Sequence, residues 1–87
     1  MTPSEAQDWA EARGLLPVVT TTAAERHVTL AELWSASRTP RVSHARQLLW
    51  SRLEMAGLCR SEIARAFGRD HSTVIRGIAA ADRRAGA

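Results

Sequence analysis

Gly68 constrains this chain more than any other residue, because it falls between two short segments that each carry an apolar stripe at helical spacing. Before it, a segment from about Arg60 places Ile63, Ala64 and Phe67 on one side; after it, a segment opening at Asp70 lines Val74, Ile78 and Ala81 along its inner face. A glycine there can adopt the left-handed conformation that ends a helix. Two short helices joined by a glycine-containing turn are the sequence form of a helix-turn-helix. Upstream, Ser43 can cap a longer helix in which Leu48, Leu49, Leu53 and Ala56 form an apolar stripe and which Gly57 can end. The expected fold class is therefore all-α: a small helical domain with a helix-turn-helix, preceded by a short N-terminal helical extension.

Towards the N-terminus the signals vary in strength. Thr2, Pro3 and Glu5 have the form of a capping box with proline at the first helical position, and Gly14 supplies a stop, so a helix over about residues 3–13 is expected. The stretch from Leu15 to Thr22 stays open between a strand, a linker and the first turns of a helix reaching Arg26. Pro17 breaks what precedes it, and Val18, Val19 and three threonines favour extended backbone. Thr29 and Glu32 make a second capping box, with Leu30, Leu33 and Trp34 on one face of a helix expected to end near Ser37. Arg38-Thr39-Pro40-Arg41 then reads as a proline-broken, doubly basic loop. The division expected is an extension over residues 1–27 and a domain over 28–87. Trp34 and Trp50 read as core, whereas Trp9 lies in an acidic helix outside that domain and reads as a surface for a protein partner such as the transcription machinery.

Several function classes are excluded by size and composition. Eighty-seven residues make one modest core and leave no room for a separate catalytic domain. Cys59 is the single cysteine, and with three scattered histidines it gives no metal-ligand spacing, so no metal and no cofactor are expected. No apolar run approaches the ~20 residues of a membrane span, and the start of the chain lacks the form of a secretion signal, which points to the cytoplasm and, for a DNA-binding protein, to the nucleoid. Charge is most informative by position. Residues 1–37 hold two arginines against five carboxylates, leaving −3; residues 38–87 hold ten arginines against four, leaving +6. All twelve basic residues are arginine, which suits bidentate recognition of phosphate and guanine and is also what a GC-rich genome encodes.

Within the basic half, Asp70 is a strong helix N-cap and Thr73 stands at the third helical position, so Asp70-His71-Ser72-Thr73 can be simply a well-capped helix start. His71 and Ser72 on that first turn, preceded by Arg69, also match what a recognition helix presents to base edges. Asp70 can accept from a cytosine amino group, His71 and Ser72 can bond bases or phosphates, and the Thr73 methyl can pack on a thymine methyl. Arg76 and Arg83 point outward or lie at the open end of the same helix.

The span from about Val28 to Arg83 resembles the C-terminal DNA-binding domain of the bacterial replication initiator DnaA. The resemblance is carried by Val-Thr-Leu-Ala-Glu-Leu, Arg-Val-Ser-His-Ala-Arg-Gln, and Ser-Glu-Ile-Ala-Arg-Ala-Phe-Gly-Arg-Asp-His-Ser-Thr-Val. Its most specific part is Phe67 to Val74, with Arg46-Gln47 at the matching distance upstream. The sequence departs from the family in lacking a residue often found between Gly68 and Arg69, and in carrying Pro40 within a basic loop that is usually richer in positive charge. The resemblance implies a helix-turn-helix over about residues 60–84 whose turn, Arg69 to Thr73, reads the major groove of double-stranded DNA. It further implies that Arg38 and Arg41 enter the neighbouring minor groove, that Arg46 and Gln47 hold phosphates, and that Ser61 touches the groove; Arg76 completes the candidate set.

The function expected is sequence-specific binding of double-stranded DNA by a short stand-alone protein, a small transcriptional regulator with a phage or mobile-element derivation as one origin. A competitor or modulator at replication origins is the alternative within this class. A protein-interaction adaptor that keeps the fold but has lost DNA binding through the loop departures is the alternative from another. No Gly-rich phosphate-binding loop is present, and no enzyme activity is expected.

Overall fold

Both threonine–glutamate pairs close the capping boxes that their spacing predicts, in a computed structural model that describes residues 1–86. Helix α1 runs Pro3–Ala12, with the Glu5 N–H donating to Thr2 Oγ1 (3.2 Å) and the Thr2 N–H donating to Glu5 Oε1 (2.9 Å). The undecided stretch after Gly14 is helical: α2 runs Leu16–Arg26, with Pro17 in its first turn, where a missing amide donor costs nothing. The Thr20 and Thr22 hydroxyls donate to the carbonyls of Leu16 (3.0 Å) and Val18 (2.8 Å), so threonines that favour strands in isolation find partners inside the helix. Val19, Thr22 and Ala23 are buried, and that burial outweighs propensity.

The second capping box opens a helix shorter than expected. Helix α3 covers only Leu30–Leu33, and the chain from Trp34 to Thr39 is an irregular connection where a helix to Ser37 was expected. Helix α4, Pro40–Met55, begins three residues before Ser43, because Pro40 at its first position is pre-set for helix and Thr39 takes the extended conformation at the N-cap. The basic pair is thereby divided, Arg38 staying in the connection and Arg41 entering the first turn of α4. Helices α5 (Arg60–Phe67) and α6 (His71–Gly86) complete the described chain and form the helix-turn-helix.

Helix α4 is the axis of the fold, with α2, α3, α5 and α6 all packed against it. Leu49 and Leu53 of α4 are fully buried with Val19, Leu33, Ile63 and Val74 drawn from four other helices. Beside them runs a chain of aromatic contacts: Trp9 meets Trp34 edge to face (centroids 6.2 Å apart), Trp34 stacks on Phe67 (4.2 Å), and Phe67 meets Trp50 edge to face (5.7 Å). The Trp34 indole N–H donates to the Ala66 carbonyl (3.0 Å).

This packing corrects two expectations. The division at residue 27 is not respected, since Ala10, Leu15, Val19 and Ala23 belong to the same core cluster as Leu49, Phe67 and Ile78. Trp9 is not presented as a free partner surface: one side lies against Trp34, and the Arg13 guanidinium covers its ring at 4.9 Å from the centroid.

The segment that looked dispensable is therefore expected to be structural. Trp9→Ala should destabilise the fold by about 2 kcal/mol, less than the ~3–5 typical of a fully buried tryptophan because Trp9 is only half-buried. In a domain of this size that corresponds to a fall in Tm on the order of 10 °C, readable by thermal circular dichroism. Deleting residues 1–14 should cost more, because Ala6 and Ala10, both fully buried, are lost as well.

Candidate nucleic-acid interface

The turn between α5 and α6 is fixed by backbone geometry. Gly68 is left-handed (φ 63°), and the Arg69 N–H reaches back to the Ala64 carbonyl at 2.9 Å, ending α5 in a conformation that a side chain would strain. The Asp70 carbonyl then accepts from the Thr73 and Val74 N–H groups (3.1 and 3.2 Å), starting α6. Asp70, whose side chain is exposed, stands immediately before the first residue of α6. His71 and Ser72 follow, both exposed, on the first turn.

Helices α4 and α6 cross where α6 has no side chain. A Cβ on Gly77 would stand 2.6 Å from two ring carbons of Trp50 and 3.2 Å from Cγ of Gln47, so glycine is what lets the indole lie against the α6 backbone. Trp50 is 3% exposed, and its indole N–H is buried without an acceptor, a cost of roughly 1–3 kcal/mol that the surrounding packing must offset. A groove of about 750 Å³ lies between the two helices, with Trp50 and Gly77 of the crossing in its lining. One wall comprises Arg38, Ser43, Arg46 and Gln47; the other is the stripe Thr73, Arg76, Ala80 and Arg83 of α6; the turn residues Gly68, Arg69 and Asp70 close one end. Five arginines and a single carboxylate line it. Like charges gathered in a concave surface focus a positive potential, which suits a polyanion.

The arginines are of two kinds. Arg46, 4% exposed, donates through Nε to the Leu33 carbonyl (2.8 Å), through Nη1 to Ser37 (3.1 Å) and through Nη2 to Glu32 (3.2 Å) and Ser35 (2.8 Å). Arg69 Nη2 donates to the same Ser35 carbonyl at 2.6 Å. Burial, and secondarily the neighbouring Arg69 charge, hold the Arg46 guanidinium below its ordinary pKa. Arg38, Arg76 and Arg83, by contrast, are exposed and make no ion pair among the described residues. Gln47 is oriented by Arg84, whose Nη2 donates to its Oε1 (2.7 Å), leaving the amide NH₂ of Gln47 as a donor.

Of the sequence candidates, the groove brings together Arg38, Arg46, Gln47, Arg69, Asp70, Thr73 and Arg76. His71 and Ser72 stand at the exposed tip of α6, and Ser61 is exposed on the first turn of α5; none of the three lines the groove. Arg41 is turned away from it, donating to Glu32 Oε2 (2.5 Å) and to the His27 carbonyl (2.6 Å). Two lining residues able to contact a phosphate were missing from the candidate set, Ser43 and Arg83. The helical spacing 73, 76, 80, 83 was the signal that could have found Arg83. Among the described residues, no cluster of His, Cys, Asp and Glu could hold a metal ion, and no helix is long and apolar enough to cross a membrane.

A two-helix motif whose second helix presents an exposed polar first turn beside an arginine-lined groove defines a helix-turn-helix protein of the DNA-binding class. The chain belongs to the family of the bacterial dnaA protein helix-turn-helix, whose profile matches residues 17–80. That match begins inside α2, so the family's domain includes a helix that the sequence reading had assigned to the extension. No curated protein and no solved structure shows a significant match to the chain.

Two expectations follow from this geometry. Gly77→Ala should destabilise the protein by about 1–2 kcal/mol: the helix-propensity gain of up to ~1 kcal/mol is outweighed by overlap with a buried, rigid indole, where overpacking costs ~1–3. A raised Tm would show that the helices separate freely at the crossing. The second concerns pH. The Arg41 guanidinium, followed by the Thr29 N–H, holds the Glu32 carboxyl below the ordinary glutamate range. The stability it contributes is thus present above its unfolded-state pKa and is lost as pH falls through its lower folded-state value. Glu32→Gln should lower Tm at neutral pH, and the gap from wild type should close on acidification.

Proposed function

We propose that the chain binds double-stranded DNA in a sequence-specific manner, with the exposed tip of α6 in the major groove and the arginine-lined groove beside it taking the phosphate backbone. The observation carrying this reading is the juxtaposition of that tip with Arg38, Arg76 and Arg83, three exposed arginines without carboxylate partners among the described residues. Asp70, His71, Ser72 and Thr73 are the base-reading residues; Arg76, Arg83 and the Gln47 amide take phosphates; Arg38 enters the adjacent minor groove, where a guanidinium responds to the narrow width of A·T-rich sequence. Arg41 is a strut to Glu32 in this reading, and Ser61 is left as a peripheral contact from α5. The output is regulation of transcription through occupancy of the bound site. With Trp9 packed against Trp34, the reading does not rely on a recruiting surface at the N-terminus.

A second reading, action at replication origins, is favoured by the family match itself. Selection of bound sequences from a random duplex library separates the two, since recovery of the initiator's own binding sequence points to origins and an unrelated sequence to regulation. An adaptor that has lost DNA binding would give no mobility shift with random duplex DNA.

Binding should weaken steeply with salt, because each neutralised phosphate releases condensed counterions and contributes roughly −0.9 to the slope of log K against log salt. Arg76→Gln and Arg83→Gln should each flatten that slope by about one unit on specific and random duplexes alike. His71→Ala and Thr73→Val should leave the slope unchanged and reduce the ratio of specific to random affinity, with good base contacts contributing ~1–3 kcal/mol each. An unaltered ratio in both variants would reduce the tip of α6 to a helix start.

A further inference from the structure

We infer that Arg46 and Arg69 act in DNA recognition as positioning residues, clamping the segment that carries Arg38 against the start of the recognition helix. The minor-groove and major-groove elements are thereby presented in one register. This deepens the DNA-binding reading above and rests on it.

The clamp follows from where the chain runs out of regular structure. Helix α3 ends at Leu33, and the carbonyls of Leu33, Ser35 and Ser37 have no continuing helix to supply donors from the following turn, while that of Glu32 is already met by the Ser35 N–H (3.1 Å) and hydroxyl (2.7 Å). Arg46 supplies donors to all four from one side chain, at 2.8 to 3.2 Å. A guanidinium has five N–H groups, and four are spent here on the protein's own backbone. A buried cation so committed has little left to offer a phosphate, whereas it fixes the path of the chain up to Ser37, the residue before Arg38.

Arg69 adds the connection to the other reading element. It stands in the turn immediately before Asp70, and its bond to the Ser35 carbonyl joins that turn directly to the segment Arg46 holds. Two guanidiniums on one carbonyl, with no carboxylate among the described residues to separate their charges, repel each other. Phosphates entering the groove would relieve that repulsion, so the clamp should tighten when DNA is bound.

Arg46→Lys separates positioning from phosphate binding, because lysine keeps the charge but carries its three donors on one atom and cannot span four carbonyls. The probe is a duplex recovered by selection from a random library, prepared in two forms that differ only in A·T or G·C pairs at the flank facing Arg38. Wild type should prefer the A·T form by about tenfold, and Arg38→Ala should abolish the preference. Arg46→Lys, shown to be folded by its thermal transition, should lose the preference equally and keep the salt slope on random duplex; the double variant should lose nothing more. A retained preference in Arg46→Lys, or a loss additive with that of Arg38→Ala, overturns the inference. Should Arg46→Lys fail to fold, Arg69→Ala removes the bond to Ser35 together with one groove charge, whose loss weakens both flank forms alike. It should lower the flank preference while keeping discrimination at base pairs read by His71 and Thr73, and an unchanged flank preference overturns the inference. If wild type has no flank preference and Arg38→Ala changes nothing, the minor-groove assignment itself fails, an outcome distinct from failure of the clamp.

Discussion

The contact between the Trp50 ring and the backbone of α6 at Gly77 sets the geometry on which the rest of the molecule depends. Because α6 has no Cβ there, the indole closes the crossing, and Trp50 and Gly77 form part of the groove between α4 and α6. The same ring is the inner end of the aromatic chain through Phe67 and Trp34 to Trp9. The angle of the recognition helix and the seating of α1 are thus joined through rigid side chains. This explains why a helix carrying the wrong charge for DNA can nonetheless matter to a DNA-binding fold: its contribution is apolar contact, transmitted through Trp34 to the helix-turn-helix.

Electrostatics divides the arginines according to position. Arg41, Arg52 and Arg60 pair with Glu32, Glu25 and Glu54, and none of the three lines the groove. Exposed pairs of this kind contribute little stability, about 0–1 kcal/mol each. Their larger effect is on the field, since each neutralises a cation away from the groove, whereas none of the five arginines lining it makes an ion pair among the described residues. Arg46 and Arg69 belong to neither group. They keep their charge next to the groove, Arg46 with four donors spent on backbone carbonyls and Arg69 with one, so both add to the potential that attracts a polyanion.

What the sequence disclosed was what is decided locally. The capping boxes at Thr2 and Thr29, the stop at Gly68 and the apolar face of α6 are settled within a few residues, and the structure has them. Helix α2 was undecided because its threonines and valines favour strands until Val19 and Thr22 are buried against distant parts of the chain. Trp9 was misread for a similar reason: an indole on an acidic helix looks exposed until Trp34, twenty-five positions later, is placed against it. The base-reading candidates were legible as residue types next to a turn, but an arginine that contacts DNA and one that braces a loop are the same letter. For Arg46 there was a usable sign, since it lies four residues after Val42 and three before Leu49, on the stripe that α4 buries. A cation on an apolar stripe is buried against something, and here it is carbonyls.

The all-arginine composition can be divided on the same grounds. At Arg76 and Arg83 the demand is a positive charge at an exposed position, which lysine meets nearly as well against phosphate; a base sequence rich in G·C is sufficient to account for arginine there. At Arg46 the demand is a planar fork that reaches four carbonyls in different directions from a buried position, and no other side chain has that geometry. Arg69 is intermediate, making a single bond of 2.6 Å that an ammonium could form but only by losing the spread of the fork beside Arg46. A bias that is compositional on the surface is therefore a structural requirement in the interior. The boundary between the two falls between Arg76 and Arg83, which face solvent, and Arg46, which holds the segment leading to Arg38.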